Sequence, residues 1–192
     1  MDGLYLLEFS RSLETFRWTK VSVNLPTPIA FHSAEYFKNS KRLIIVGGLF
    51  LNAEKRWERT SILELITISL EHLSVGVLKV KTHEDPLYLS ACRTHKIEQT
   101  NEIIFCGGFS SQFAEKGRAE NIPSELWGSF KIDEKKKEVK LTTKQIGFGF
   151  SFPFFFFPNK TTIFLSCGTV SKFGKYSIGN VLLLCQNKNI IT

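Results

Sequence analysis

The sequence predicts an all-β fold in which one four-stranded antiparallel unit is used repeatedly, and three observations carry that reading. Apolar runs ending in glycine recur sixty residues apart, at Arg42–Gly48, Glu102–Gly108 and Thr162–Gly168. The register extends upstream, because Phe37, Ile97 and Phe157 align, as do Ala30, Ser90 and Phe150. Each block reads as strand, tight turn, strand. The turns at Lys38–Lys41, Glu98–Asn101 and Pro158–Thr161 are rich in residues that favour reversals. Self-similarity at a fixed period marks a repeat architecture.

The elements follow in chain order, with the strands of one unit labelled a to d. Leu4–Phe9 and Phe16–Val23 read as c and d of a partial unit, 1–24. The first full unit, 29–82, has a at Ile29–Phe37, b at Arg42–Gly47, c at Ser61–Leu70 and d at Val75–Lys81. The second, 87–143, has a at Leu87–Ile97, b at Ile103–Gly107, c at Leu126–Ile132 and d at Glu138–Thr143. The last, 148–187, is partial, with a at Phe148–Phe157, b at Thr162–Cys167 and c at Asn180–Gln186. In Phe148–Phe157, Pro153 argues against a helix and for a buried strand with a bulge. That stretch is also too short and too broken by Gly and Pro to span a bilayer as a helix.

Four antiparallel strands per unit, tiled along the chain, are the pattern of a β-propeller. These thirteen strands do not divide into whole blades, so the expected object is an incomplete ring. Two copies completing a ring as a homodimer is one explanation, and a piece of a longer propeller is the other. The stop at Asn187–Thr192, where a c–d turn is due, favours truncation.

The repeats resemble the kelch family, whose blades carry a hydrophobic strand ending in Gly-Gly, a variable loop, a second apolar strand and a tryptophan. Leu4–Phe9 followed by Trp18, Pro26, Pro28 and His32 looks like the passage from one such blade to the next, and Gly47-Gly48 supplies the doublet. Gly107-Gly108 repeats it. The third doublet is Cys167-Gly168, no tryptophan stands near Val80, Trp127 lies in strand c, and the period exceeds the roughly 50 residues of kelch repeats. The resemblance implies a structural role for Trp18, His32, Gly47, Gly48, Gly107, Gly108 and Gly168. It also implies a non-enzymatic protein-binding scaffold, as in adaptors that recruit substrates to ubiquitin ligases or in cytoskeletal binders.

Strand order places the function. The b–c loops, Leu49–Thr60, Phe109–Glu125 and Thr169–Gly179, lie at the same end as the d–a connections, and all exceed an ordinary hairpin loop. Binding residues concentrate on loops held by a rigid scaffold. The expected partner-binding set is therefore Arg56, Trp57, Arg59, Gln112, Phe113, Lys116, Arg118, Lys172, Lys175 and Tyr176. Arg, Trp and Tyr are enriched at binding hot spots.

Other function classes find less support. The chain has 25 Lys and Arg against 18 Asp and Glu, a net of +7. Lys135–Lys137, Lys38, Lys41, Arg42 and Lys160 sit in turns opposite the long loops, without aromatic interleaving. A solvated surface fits them better than nucleic-acid binding. Phosphate loops, nucleophile elbows and metal-binding helices have no match, so no catalytic residue, metal or cofactor is assigned. A propeller-based enzyme with an axial metal or acid/base site is the rival reading. Cysteines 92, 106, 167 and 185 lack metal spacing and read as reduced thiols. The N-terminus lacks the signature of a secretion signal, so the cytoplasm, with the nucleus open, is the expected location.

Overall fold

Short apolar runs closed by polar turns fold as strands, and among the described residues there is no helix. The structure is a computed structural model. It describes residues 3–10, 12, 14–81, 87–98, 100–110, 122–133, 136, 138–159, 162–170 and 176–185; beyond residue 145 it gives the backbone course.

The chain opens with a hairpin, β1 (Gly3–Phe9) against β2 (Phe16–Asn24). The first full unit contains β3 (Ile29–Ala30), β4 (Ser33–Phe37), β5 (Arg42–Val46), β6 (Leu49–Leu51), β7 (Trp57–Arg59), β8 (Glu64–Ser69) and β9 (Ser74–Lys81). Of these, β4, β5, β8 and β9 form an antiparallel meander. The second unit contains β10 (Leu89–Ser90), β11 (Arg93–Ile97), β12 (Glu102–Cys106), β13 (Phe109–Ser110), β14 (Ile122–Asp133) and β15 (Glu138–Asn159). Its meander runs β11, β12, β14, β15. The far part of β15 then pairs with β16 (Thr162–Val170), and β16 with β17 (Tyr176–Cys185).

Several expected boundaries change, each for a local reason. Strands a are cut in two because Phe31 and Ala91 hold φ of 53° and 52°, outside the extended region. Strands b stop at Val46 and Cys106, because Gly47 and Gly107 turn away at φ of 65° and 58°. The Leu49–Thr60 connection is not a bare loop but carries the β6–β7 hairpin. Strand c of the first unit begins at Glu64 rather than Ser61, which makes an isolated bridge to Tyr88. Strand c of the second unit reaches back to Ile122, and that of the last unit to Tyr176. Strand d of the second unit and a of the last are one continuous 22-residue strand. The expected bulge near Pro153 is present as a register shift between Ser151 and Phe154.

The units pack face to face. Phe37, Ile44, Val46, Ile62 and Leu65 from the first meet Leu89, Ile103, Phe105, Phe130 and Val139 from the second in one core. Phe105 stacks on Phe130 with ring centroids 4.9 Å apart. Gly128 makes room for that ring, since a Cβ there would lie 2.6 Å from Phe105 Cζ. A second, smaller core joins Val23, Leu4 and Val21 of the opening hairpin to Ile45, Ile66, Ile68 and Val75 of the first meander. At the outer margin Val80 and Val139 pair in parallel, tying both meanders into a mixed sheet of twelve strands.

The period read from the sequence is the period of the contacts. The Ala91 amide donates to the Phe31 carbonyl at 2.7 Å. The Ser33 hydroxyl donates to the Cys92 carbonyl at 2.6 Å and Thr94 Oγ1 to Glu35 Oε1 at 2.7 Å. Strands β4 and β11 thus lie side by side, and residues 59 or 60 apart touch.

Candidate binding face

In both full units the short strand after the glycines pairs with the one that opens the unit. Ile29 and Ala30 pair with Phe50 and Leu49, and Leu89 and Ser90 pair with Ser110 and Phe109, sixty residues on. Gly47 and Gly48 permit this. A Cβ at Gly47 would stand 2.6 Å from the Leu89 carbonyl oxygen, and one at Gly48 would overlap Ile29 Cγ2. Gly108 is equally confined, with the Ser90 carbonyl oxygen at the site a Cβ would need.

The β6–β7 hairpin is the best-defined of the long connections. Asn52 Oδ1 accepts from the amides of Glu54 and Arg56 at 2.9 and 2.8 Å, a side-chain mimic of a backbone turn. Its Nδ2 donates to Glu58 Oε1 at 2.6 Å. On the ribbon so fixed, Leu51 stands opposite Trp57, 44% and 52% exposed. Arg56 beside them pairs with Glu54. Arg59 is different. It is only 4% exposed, its Nε donates to Ser90 Oγ at 3.0 Å, and burial lowers its pKa from the ordinary guanidinium value. Its role is to tie the hairpin to the next unit.

A cleft of about 350 Å³ opens beside the hairpin. Ile29, Phe50, Ile66 and Val77 give it apolar walls, and Glu58, Arg59, Glu64 and Tyr88 bring polar groups to it. Among the described residues neither glutamate forms an ion pair, although Lys79 is the cross-strand neighbour of Glu64. The cleft therefore combines apolar walls with charged groups of both signs.

Of the remaining expected residues, Gln112, Phe113, Lys116, Arg118, Lys172 and Lys175 lie outside the described residues, and Tyr176 begins β17. Trp18 lies on β2 opposite Leu7, exposed. His32 follows the Phe31 break and is exposed. Gly168 sits at a register shift of β16. Leu51, Asn52 and Glu58 were not singled out in the sequence. The Asn followed by Ala-Glu-Lys was the available signal for a side-chain-capped turn.

At the opposite end, Lys41 reaches Glu71 at 3.3 Å and Lys136 N donates to Asp133 Oδ1. Lys135, Lys137 and Lys160 lie outside the described residues. Cys92 and Cys106 are buried and outside any disulfide, and burial pushes the Cys92 pKa up to about 12. Such a thiol is a packing element rather than a nucleophile. Among the described residues no group of three or more His, Cys, Asp and Glu is placed to hold a metal ion. No helix among them is long and apolar enough to cross a membrane.

No family model and no curated protein matches the chain. Solved structures do. The structure of YjhT superposes with a TM-score of 0.71 at 12% identity, over 98% of this chain and 56% of that one. An unknown-function protein from Dyadobacter fermentans DSM 18053 superposes with a TM-score of 0.54 at 10% identity, over 95% of this chain and 48% of that one. At such identities the likeness is one of fold. The chain spans about half the length of these structures.

Proposed function

We propose that this chain is a kelch-like segment of a β-propeller that serves as a non-enzymatic binding module and holds a protein partner on the end bearing the long connections. Two four-stranded antiparallel meanders, packed with their first strands adjacent, support the propeller reading. One observation carries the binding reading. The exposed Leu51–Trp57 pair stands on a hairpin locked by Asn52, an apolar contact surface at little ordering cost. Substrate recruitment to a ubiquitin ligase and cytoskeletal binding are the family roles that such a module would fill.

The test is a photo-crosslinking residue placed at Trp57 and, as a control, at Asn39 in the opposite turn, with irradiation in cells. The reading requires a discrete adduct from position 57 that position 39 does not give. Equal patterns from both positions would sink it.

A further inference from the structure

The face of β14 and β15 that turns away from the core carries three lysines without an ion pair. Cross-strand partners share a face of a sheet, and successive residues alternate between faces. Phe130 with its partner Leu141, and Ile132 with Val139, belong to the core. The opposite face therefore carries three successive pairs: Lys131 with Lys140, Ser129 with Thr142, and Trp127 with Lys144. Lys140 is also the parallel neighbour of Lys81, so lysines stand abreast on β9, β15 and β14. Lys131, Lys140, Thr142 and Lys144 are exposed, and Ser129 and Trp127 are half-buried. Two nearby carboxylates have other partners. Glu138 accepts from Lys81 Nζ at 2.5 Å, and Asp133 Oδ1 accepts from the Lys136 amide. Glu102 on β12 is the cross-strand neighbour of Lys131, yet among the described residues Lys131, Lys140 and Lys144 form no ion pair.

We propose that this block of three pairs binds a phosphate monoester. Like charges directly opposite each other destabilise a sheet, and an anion between Lys131 and Lys140 removes that cost. The Ser129 and Thr142 hydroxyls lie one row further on, about 7 Å along the strands, and Lys144 lies one row beyond them. Cations thus flank a pair of hydroxyl donors from both sides. The flexible four-carbon stem of lysine lets the ammonium groups converge on them. A phosphate monoester matches that arrangement, with a charge of about −1.5 to −2 at neutral pH and three acceptor oxygens. A carboxylate, with a single charge and two oxygens, would leave cations unmatched. Trp127 occupies the fourth corner and offers an apolar ring to the organic part of the ester. The inference stands on the register of one sheet and is independent of the loop-face reading.

Nuclear magnetic resonance titrations of the wild-type chain with phenyl phosphate and with inorganic phosphate, at fixed ionic strength, test it. Saturable shifts are expected at the amides of Ser129, Lys131, Lys140 and Thr142. Phenyl phosphate should bind more tightly than inorganic phosphate and move the Trp127 indole signal. The double variant Lys131→Gln/Lys140→Gln should bind phenyl phosphate about tenfold or more weakly, and Lys55→Gln in the β6–β7 turn should change the affinity less than about twofold. These side chains are exposed, so the far-ultraviolet circular dichroism of both variants should match the wild type. Shifts that never saturate (an adventitious ion only), equal affinity for the two phosphates, an undiminished affinity of the double variant, or an equal loss for Lys55→Gln would each overturn the proposal.

Discussion

The Leu89 carbonyl oxygen accepts a hydrogen bond from the Gly48 amide at 2.8 Å and lies 2.6 Å from the point a Cβ on Gly47 would occupy. The glycine doublet therefore lets the backbone of one unit pass against that of the next. Gly47→Ala meets a left-handed φ and this carbonyl together. The expected loss is roughly 2–5 kcal/mol of unfolding free energy, the sum of conformational and overpacking costs. Urea unfolding of the variant measures it; a loss within error of zero would mean that the two backbones are not in contact.

Ala91→Gly should act in the opposite direction. Ala91 holds φ of 52° because its amide is tied to the Phe31 carbonyl. Removing the Cβ relieves a cost of about 1 kcal/mol at that conformation, partly offset by the greater freedom of glycine in the unfolded chain. The urea midpoint should stay level or rise. A clear fall would place Ala91 in an ordinary extended conformation.

This contrast shows what was legible in the sequence. The sixty-residue period and the paired strands could be read from the spacing of apolar runs and glycines. The breaks at Phe31 and Ala91 could not, since a non-glycine residue at positive φ bears no local mark and is held there by a contact sixty residues distant. The burial of Arg59 was hidden for the same reason, its acceptor Ser90 being 31 residues away. The single strand from Glu138 to Asn159 was obscured by the repeat register, which assigns Glu138–Thr143 and Phe148–Phe157 to different units.

Alkali should expose the buried thiol. The Cys92 pKa rises from 9.0 to about 12 in the folded chain, because burial penalises the thiolate. Between these values the unfolded chain has lost the proton and the folded chain keeps it, so stability falls as pH rises. Below pH 9 the thiol contributes no slope. The expected slope is about 1.4 kcal/mol per pH unit. Cys92→Ala should flatten it, whatever that substitution costs in absolute stability. Identical slopes for the two chains would show that Cys92 is not the titrating group.

Asn52→Ala should loosen the β6–β7 hairpin and leave the meanders intact. It removes the acceptor of the Glu54 and Arg56 amides, contacts worth about 1 kcal/mol each. Hydrogen exchange should quicken at those two amides while the amides of β5 and β12 keep their protection. Unchanged exchange at Glu54 and Arg56 would show that another group fixes the turn.

The proposed working face is the end that carries the β6–β7 hairpin. It is tested most directly by the affinity of the polypeptide captured at position 57 for the wild-type chain, for Leu51→Ala and Trp57→Ala, and for the opposite-end controls Lys38→Ala and Asn39→Ala. A loss of about tenfold or more is expected for Trp57→Ala, a smaller loss for Leu51→Ala, and less than about twofold for the controls. Equal affinities across all four variants, or losses confined to the controls, would contradict it.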